Sequence, residues 1–237
     1  MYFKIATLVF TTFSGVLSGC NSTVVNSPGM AQETNKEVKS TWQSRRFDRW
    51  VPSCGSKFKK FANNSFEFTV EKGSVGGCPS DKLPTPQGDA QWSERAEVTT
   101  DEMRLPDGRY YWTATVEINR PCKPSKRVDF FQIHDGGTEG GPPSQLGIEK
   151  TDTFKTNQHY ETSKTVPNRP FDVFADIHIN GDNVTVSYAI DGKHFRTTKA
   201  RRETGTDKMY VKFGIYRINS NCTATITHSN VRLVKVD

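Results

Sequence analysis

The sequence predicts an all-β protein built as a β-jelly-roll sandwich, in which one sheet lines a substrate groove. Hydrophobic residues make up only 34% of the 237-residue chain and aromatic residues 11%. This balance favours sheets with one solvent-exposed face over a helical bundle. Short alternating stretches of apolar and polar residues follow one another, separated by turn residues. The sequence shows neither the rhythm of βαβ units nor an internal repeat, which favours a sandwich or jelly roll.

Individual strands are marked by alternation and by the turns between them. The clearest alternating stretches are Phe66–Val70, Tyr110–Ile118, Phe171–Ile179, Val184–Ile190 and Cys222–Val236. Asn180-Gly181 and Asp191-Gly192 predict hairpin turns on either side of the fourth stretch, because such pairs tolerate positive φ. The glycine- and proline-rich residues 135–143 predict either a mobile lip over the groove or an ordinary long loop.

The N-terminal residues predict export rather than a fold element. Residues 1–19 resemble a signal peptide, with Lys4 before an apolar stretch too short to span a bilayer. Leu17-Ser18-Gly19-Cys20 resembles the lipobox of bacterial lipoproteins, which implies a lipid on Cys20; an ordinary signal peptide cut nearby is the alternative. Residues 20–41 are polar and predict a flexible tether, and residues 42–237 predict the folded domain.

These features lead us to expect a protein of the bacterial cell envelope. It would be an outer-membrane lipoprotein, periplasmic or at the cell surface, and held to the membrane through the lipid on Cys20.

The four cysteines beyond Cys20 predict two disulfides, because an even number in an exported chain is typical of a disulfide framework. Three pairings are possible, and the spacing favours Cys54–Cys78 together with Cys122–Cys222. No two cysteines have C-x-x-C spacing and the five histidines are scattered, so the sequence predicts no metal site.

The net charge of +6 indicates either an anionic partner or simple solubility. The sequence shows no recognition-helix pattern, zinc-finger spacing or RNA-binding aromatic motif, so we expect no nucleic-acid partner. An acidic polysaccharide remains a suitable anion.

Three strand-like blocks each combine an apolar face with a polar face that carries reactive side chains. Because side chains alternate across a strand, each block sends every second residue into the core and the others to the opposite face. The outward residues are Arg95 and Glu97 in the first block, Gln132 and His134 in the second, and Tyr210, Lys212, Gly214 and Tyr216 in the third. Three such strands suggest one sheet whose polar face forms the groove.

The blocks Arg95-Ala96-Glu97-Val98, Gln132-Ile133-His134 and Tyr210–Arg217 resemble, in the same order, three signature blocks of the alginate-lyase-like polysaccharide lyases. Those read roughly Arg-(Ser/Thr)-Glu-Leu, Gln-(Ile/Val)-His and Tyr-Phe-Lys-Ala-Gly-x-Tyr. This chain departs from them on the inferred core face, and by an arginine after the last tyrosine. The glucuronan lyases are similar more loosely, and the resemblance implies a concanavalin-like jelly roll.

The resemblance implies cleavage of an acidic polysaccharide, such as alginate or glucuronan, by β-elimination. This reaction needs a neutralised carboxylate, a base for the C5 proton and an acid for the leaving oxygen. The catalytic candidates are Arg95 and Gln132 for the carboxylate, with His134 and Tyr216 for the protons; either of the last two could be the base. The scheme requires no cofactor, and we expect a monomer.

Four further residues are candidates for substrate binding: Lys212, Glu97, Tyr210 and Arg217. Lys212 could bind a neighbouring carboxylate or be a solvated residue. Glu97 could instead serve mainly as the salt-bridge partner that holds Arg95.

Two other classes of protein could use the same fold. A glycoside hydrolase needs two carboxylates flanking the scissile bond, and no suitable strand is visible. A non-catalytic carbohydrate-binding surface lipoprotein would use aromatic residues such as Trp92, Tyr110 and Trp112 to stack on sugars. It would not need Gln132, His134 and Tyr216 together.

Overall fold

The chain folds as two antiparallel β-sheets packed face to face, a sandwich of the jelly-roll type. The computed structural model describes residues 45–82, 93–119, 127–137, 141–149, 151–156, 164–203, 206–218 and 222–236. The predicted signal peptide, the tether and the lipid site at Cys20 lie outside these residues. Within them, no helix is long and apolar enough to cross a membrane.

The first sheet has six strands in the order β1-β4-β12-β6-β7-β8. They are β1 (Trp50–Pro52), β4 (Ser93–Thr100), β12 (Tyr210–Ile218), β6 (Val128–His134), β7 (Ser144–Ile148) and β8 (Phe154–Thr156). Strand β12 lies between β4 and β6. The three sequence blocks, which are far apart in the chain, therefore lie side by side.

The second sheet has seven strands in the order β11-β10-β9-β5-β13-β3-β2. They are β11 (Lys193–Arg201), β10 (Asn183–Ile190), β9 (Phe171–Asn180), β5 (Gly108–Asn119), β13 (Ala224–Lys235), β3 (Ser65–Val70) and β2 (Lys59–Phe61). This sheet carries all five strands predicted from alternation, with bounds shifted by at most two residues. Both predicted hairpins, β9–β10 and β10–β11, are present.

The core between the sheets is rich in aromatic rings. Phe213 makes edge contacts with Trp50, Phe66 and Phe68, which joins the centre of the six-stranded sheet to β3. Burying a side chain of this size contributes about 1.5–3 kcal/mol. Tyr110 and Trp112 are also fully buried, so neither can stack on a sugar as the binding-module hypothesis supposed.

Strand β6 departs from simple alternation at Phe130. The register shifts between Asp129 and Phe131 on both sides of the strand, which marks a β-bulge. As a result Phe130 and Phe131 both point into the core, where Phe130 meets Phe154 and Phe131 meets Trp112. Asp129 is thereby moved to the same sheet face as Gln132.

The predicted disulfide Cys54–Cys78 is confirmed. It joins the 3-10 turn Ser53–Gly55 to the residue before a second turn, Pro79–Lys82. Its sequence separation of 24 corresponds to about 3.5 kcal/mol of stabilisation on chain-entropy grounds. Cys222 is also disulfide-bonded, and its predicted partner, Cys122, lies outside the described residues.

Candidate active site

The face of the six-stranded sheet that points away from the core, here called the outer face, carries the candidate residues. Within the register of β12, Tyr216 lies opposite Arg95 and Gly214 opposite Glu97 on β4. On the other side, Lys212 lies opposite Gln132 and Tyr210 opposite His134 on β6. Opposed residues of an antiparallel pair share a face. The predicted gathering of the three blocks on one face is therefore correct.

Glu97 is the centre of a hydrogen-bonded network rather than an exposed ligand. Gln132 donates from Nε2 to Glu97 Oε1 at 3.0 Å. Lys212 Nζ and Arg95 Nη1 each lie 3.3 Å from the other carboxylate oxygen. Only about 1% of the Glu97 side chain is exposed. The structure thus supports the role of Glu97 as the partner of Arg95, and extends it to Lys212 and Gln132.

Gly214 allows this network to cross β12. Glu97 and Gln132 are on strands that flank β12, and the residue between them on the outer face is Gly214. A Cβ at Gly214 would lie 2.2 Å from the carbonyl oxygen of Ala96. Its φ of +139° is also outside the region that other residues favour. Glycine is required here both by the backbone and by the close approach.

Arg95 is fixed between two carboxylates and a tyrosine ring. Its Nε donates to Asp81 Oδ1 at 2.8 Å, and its guanidinium carbon lies 4.8 Å from the centroid of the Tyr216 ring. Burial opposes the charge, but Glu97 and Asp81 outweigh it and hold the pKa of Arg95 above its ordinary value. Arg95 is therefore a permanent cation against the face of Tyr216, whose hydroxyl lies 3.2 Å from Ser93 Oγ.

His134 is neutral, and its hydrogen bonds determine which nitrogen carries the proton. Burial, followed by the charge of Lys212, lowers the pKa of His134 to about 4. The backbone N–H of Gly136 donates to Nδ1 at 2.9 Å, and a φ of +80° at Gly136 permits this tight turn. An Nδ1 that accepts a hydrogen bond leaves the proton of a neutral imidazole on Nε2. His134 therefore presents an N–H donor at Nε2.

Tyr210 packs against His134 instead of facing solvent. The two rings are stacked, with centroids 5.2 Å apart. Burial, together with the negative charges of Glu97 and Asp135, raises the pKa of Tyr210 to about 12. The predicted substrate contact of Tyr210 would have to be made by a protonated phenol that is almost completely buried.

His134 and Tyr216 lie at opposite ends of the candidate site. Since His134 is opposite Tyr210, six positions along β12 separate it from Tyr216, which is at most about 20 Å of strand because the bulge between them shortens the span. Gln132, Glu97 and Lys212 lie between them. The register does not bring the two proton-transfer candidates side by side, which the sequence could not reveal.

The predicted substrate role of Arg217 is corrected by its position. Arg217 follows Tyr216 and therefore points to the opposite face, where only 1% of its side chain is exposed. It forms a buried salt bridge with Glu94 and donates from Nη2 to the carbonyl oxygen of Val70 at 3.2 Å. Arg217 ties β12 to β4 and β3 and cannot contact a ligand on the outer face.

A second polar cluster on the same sheet was not predicted. Arg127 forms a salt bridge with Asp129 and donates to Gln145, while Lys155 pairs with Glu149. Gln145 lies opposite Gln132 in the register, which makes this cluster a continuation of the first one across β7 and β8. Strict alternation assigns Asp129 to the core face. The bulge at Phe130 turns it to the outer face instead, which is why the sequence did not reveal this cluster.

Two further features of the described residues bear on the kind of site. No group of three His, Cys, Asp or Glu side chains gathers there in a way that could hold a metal ion. A cavity of about 670 Å³ lies beside the disulfide, lined by Lys57, Phe58 and Lys59. It touches Arg95 but otherwise does not coincide with the outer-face network.

The fold has counterparts among solved structures. An alginate lyase from Klebsiella pneumoniae superposes with a TM-score of 0.50 at 11% identity, covering 76% of this chain and 84% of that one. An alginate lyase from Pseudomonas aeruginosa gives 0.47 at 18% identity, covering 75% and 85%. A sialidase gives 0.47 at 11% identity over 83% of this chain and 18% of its own. No protein-family model and no curated protein matches the sequence.

At these identities the likeness concerns the fold. The chain is alginate-lyase-like in that sense: a jelly-roll sandwich with a polar network on the outer face of one sheet. The chemistry of the site depends on its own residues, because one fold can carry many unrelated functions.

Proposed function

We propose that this protein is a polysaccharide lyase that cleaves an acidic, uronate-containing polysaccharide by β-elimination. The observation that carries the proposal is the contact of the Arg95 guanidinium with the ring of Tyr216, beside the amide of Gln132 on a shared sheet face. A fixed cation, an amide and a phenol are the groups that this reaction needs. The same three groups stand in the blocks that resemble the alginate lyases.

Arg95 and Gln132 neutralise the substrate carboxylate in this proposal. Both are already oriented by Glu97, through distances of 3.3 Å and 3.0 Å. The carboxylate of a uronate would share these donors with Glu97. Lys212 would offset the negative charge that the uronate adds. Donors that are oriented in advance stabilise the developing enolate without reorganisation.

Tyr216 transfers both protons. As a phenolate, its oxygen, on the ring that packs against Arg95, would take the C5 proton and then give it to the leaving oxygen. The cation beside its ring would stabilise the phenolate that exists before the first transfer and forms again after the second. His134, with Nε2–H as a donor and a separation of six strand positions, binds a hydroxyl or carboxylate of another sugar residue instead of acting as the base.

The polymer is proposed by class only. Alginate follows from the three blocks, and glucuronan from the looser resemblance. The charges in the site, two cations from Arg95 and Lys212 against the carboxylates of Asp81 and Glu97, are balanced. Selectivity for one uronate would therefore come from hydrogen bonds and shape more than from net charge.

The second candidate is a non-catalytic carbohydrate-binding protein of the same fold. The observation that favours it is the burial of Gln132 and Lys212, each about 3% exposed and each bound to Glu97. In that case the network would only stabilise the sheet, and sugars would bind along its rim.

We further propose that the chain is exported and held to a membrane by a lipid on Cys20. The disulfide Cys54–Cys78 supports export, because disulfides persist in oxidising compartments. Labelling of the wild type with a radioactive fatty acid, and loss of the label in Cys20→Ala, would test the anchor. Label retained in that variant would contradict it.

Mass spectrometry of digestion products tests the proposed reaction. The purified domain is incubated with polymannuronate, polyguluronate, polyglucuronate, heparin-type and hyaluronan-type chains. Elimination yields oligosaccharides lighter by one water than the products of hydrolysis. Such products from one polymer would support the lyase; binding to a polymer that stays intact would favour the second candidate.

A further inference from the structure

Asp81 belongs to none of the three strand blocks, yet it binds Arg95 directly. It lies in the turn Pro79–Lys82, and its side chain is fully buried. Its Oδ1 accepts from Arg95 Nε at 2.8 Å, and Arg95 Nη2 lies against the same oxygen. One edge of the guanidinium is therefore fixed by a single carboxylate oxygen, while Nη1 is left to Glu97.

The second oxygen of Asp81 is tied to the disulfide. Oδ2 accepts from the backbone N–H of Cys78 at 2.8 Å, and the N–H of Asp81 donates in turn to the carbonyl oxygen of Cys78 at 2.9 Å. Cys78 is itself bonded to Cys54. A continuous chain of contacts thus runs from the disulfide, through Asp81, to Arg95.

The backbone around this turn leaves Asp81 little room to move. A Cβ on Gly76 would lie 2.1 Å from Asp81 Oδ2 and 2.9 Å from Arg95 Cγ. The N–H of Gly76 donates to the carbonyl oxygen of Ser93 at 2.8 Å, which fastens the turn to the start of β4. The strand of Arg95 and the turn of Asp81 are packed as one unit.

We infer that Asp81 is a positioning residue, which holds the Arg95 guanidinium against Tyr216, and that the Cys54–Cys78 disulfide anchors Asp81. This inference rests on the proposed lyase function. Without Asp81, the flexible arginine side chain would pair with Glu97 alone and turn away from the Tyr216 ring. A guanidinium that is oriented before the substrate arrives stabilises the transition state more than the ground state.

A matched pair of variants separates positioning from stability. Asp81→Ala and Glu94→Gln each disrupt a buried carboxylate–arginine pair, but Glu94 pairs with Arg217 on the core side. Displacing Arg95 should lower kcat about 100-fold while KM changes by less than about threefold. Glu94→Gln should lower the melting temperature and leave kcat unchanged. Equal kcat values for the two variants would overturn the inference.

Two additional variants keep the test decisive if Asp81→Ala does not fold. Asp81→Asn keeps the shape of the side chain but removes the charge that pairs with Arg95, so its kcat should fall well below that of the wild type. The double variant Cys54→Ser/Cys78→Ser removes the anchor and should lower kcat with KM nearly constant. A wild-type kcat in the double variant would remove the disulfide from the account.

A readout that does not depend on activity distinguishes this inference from the proposed function. In nitrogen-15 NMR, the Nε–H of Arg95 should exchange slowly in the wild type and in Glu94→Gln, and rapidly in Asp81→Asn. If no polymer is cleaved but this pattern is found, the proposed function fails and the positioning of Arg95 by Asp81 stands. Slow exchange in Asp81→Asn would overturn the positioning itself.

Discussion

The guanidinium carbon of Arg95 lies 4.8 Å from the ring centroid of Tyr216, and the two residues are direct cross-strand partners on β4 and β12. The contact is possible because the register places both side chains on the outer face, while Asp81 and Glu97 hold the guanidinium from two other directions. This relationship is the physical basis of the proposed chemistry.

Arg95→Lys should lose most activity although it keeps the charge. A lysine ammonium cannot bind Asp81, Glu97 and a substrate carboxylate with a planar fork, nor lie flat against the Tyr216 ring. We expect kcat/KM to fall about 100-fold, in line with the loss of a group oriented for the transition state. Steady-state kinetics on the cleaved polymer measures this. A lysine variant as active as the wild type would mean that only the charge of Arg95 matters.

His134→Gln should keep more activity than His134→Ala, because the glutamine amide can still donate a hydrogen bond where Nε2–H does. If His134 were the base, both variants would be equally inactive. The measurement is kcat/KM for the two variants with the same polymer. An NMR titration of the wild-type ring provides the control, since its midpoint should lie near pH 4, not at the ordinary value of 6.5.

The protein should lose stability as the pH falls below about 6.5, because two buried histidines are held neutral. Burial lowers the pKa of His134 to about 4 and that of His228 to about 3. As the pH falls, the unfolded chain therefore takes up protons before the folded chain does. The contribution of the two histidines to stability is fully present above pH 6.5. Between that value and the folded pKa, each histidine contributes a slope of about 1.4 kcal/mol per pH unit.

Denaturant unfolding at a series of pH values measures this slope. His228→Phe is the matched variant, since the ring of His228 packs against Phe68 and Phe213 in the core. The variant should have a shallower slope between about pH 6 and pH 4, reduced by about 1 kcal/mol per unit. An unchanged slope would show that His228 titrates normally in the folded protein.

Arg217→Met should destabilise the fold by about 3–5 kcal/mol, because it leaves Glu94 as a buried unpaired charge. The double replacement Arg217→Met with Glu94→Leu should restore most of that loss, since an apolar pair of similar volume needs no solvation. Chemical denaturation gives both values. KM should be unchanged in the double variant. A raised KM would show that Arg217 contributes to substrate binding.

The sequence was sufficient for much of the fold because alternation and hairpin turns are local signals. Residues Phe171–Ile190, for instance, form a hairpin whose turn is specified locally by Asn180-Gly181. Strands β7 and β8 were not predicted, since each is short and buried on both faces, and a short apolar run carries no period.

The site was predictable only in part. The polar faces of the three blocks follow from alternation, which identified Arg95, Gln132 and His134. Three facts depend on tertiary structure: the separation of His134 from Tyr216, the bulge that turns Asp129 to the outer face, and the turn that brings Asp81 to Arg95. Alternation also places Arg217 on the face opposite to Tyr216, so the sequence itself contains a signal against a substrate contact of Arg217.

The ultraviolet absorbance of the conjugated unsaturated uronate, followed with wild type and Tyr216→Phe side by side, tests the central claim most directly. The phenylalanine ring keeps the contact with Arg95 and removes only the hydroxyl. We predict a steady rise for the wild type on one uronate polymer and a rate lower by about 100- to 10,000-fold in the variant, the usual range for removing an acid–base group. A folded Tyr216→Phe that matches the wild type, or a wild type that cleaves none of the polymers, would contradict the account.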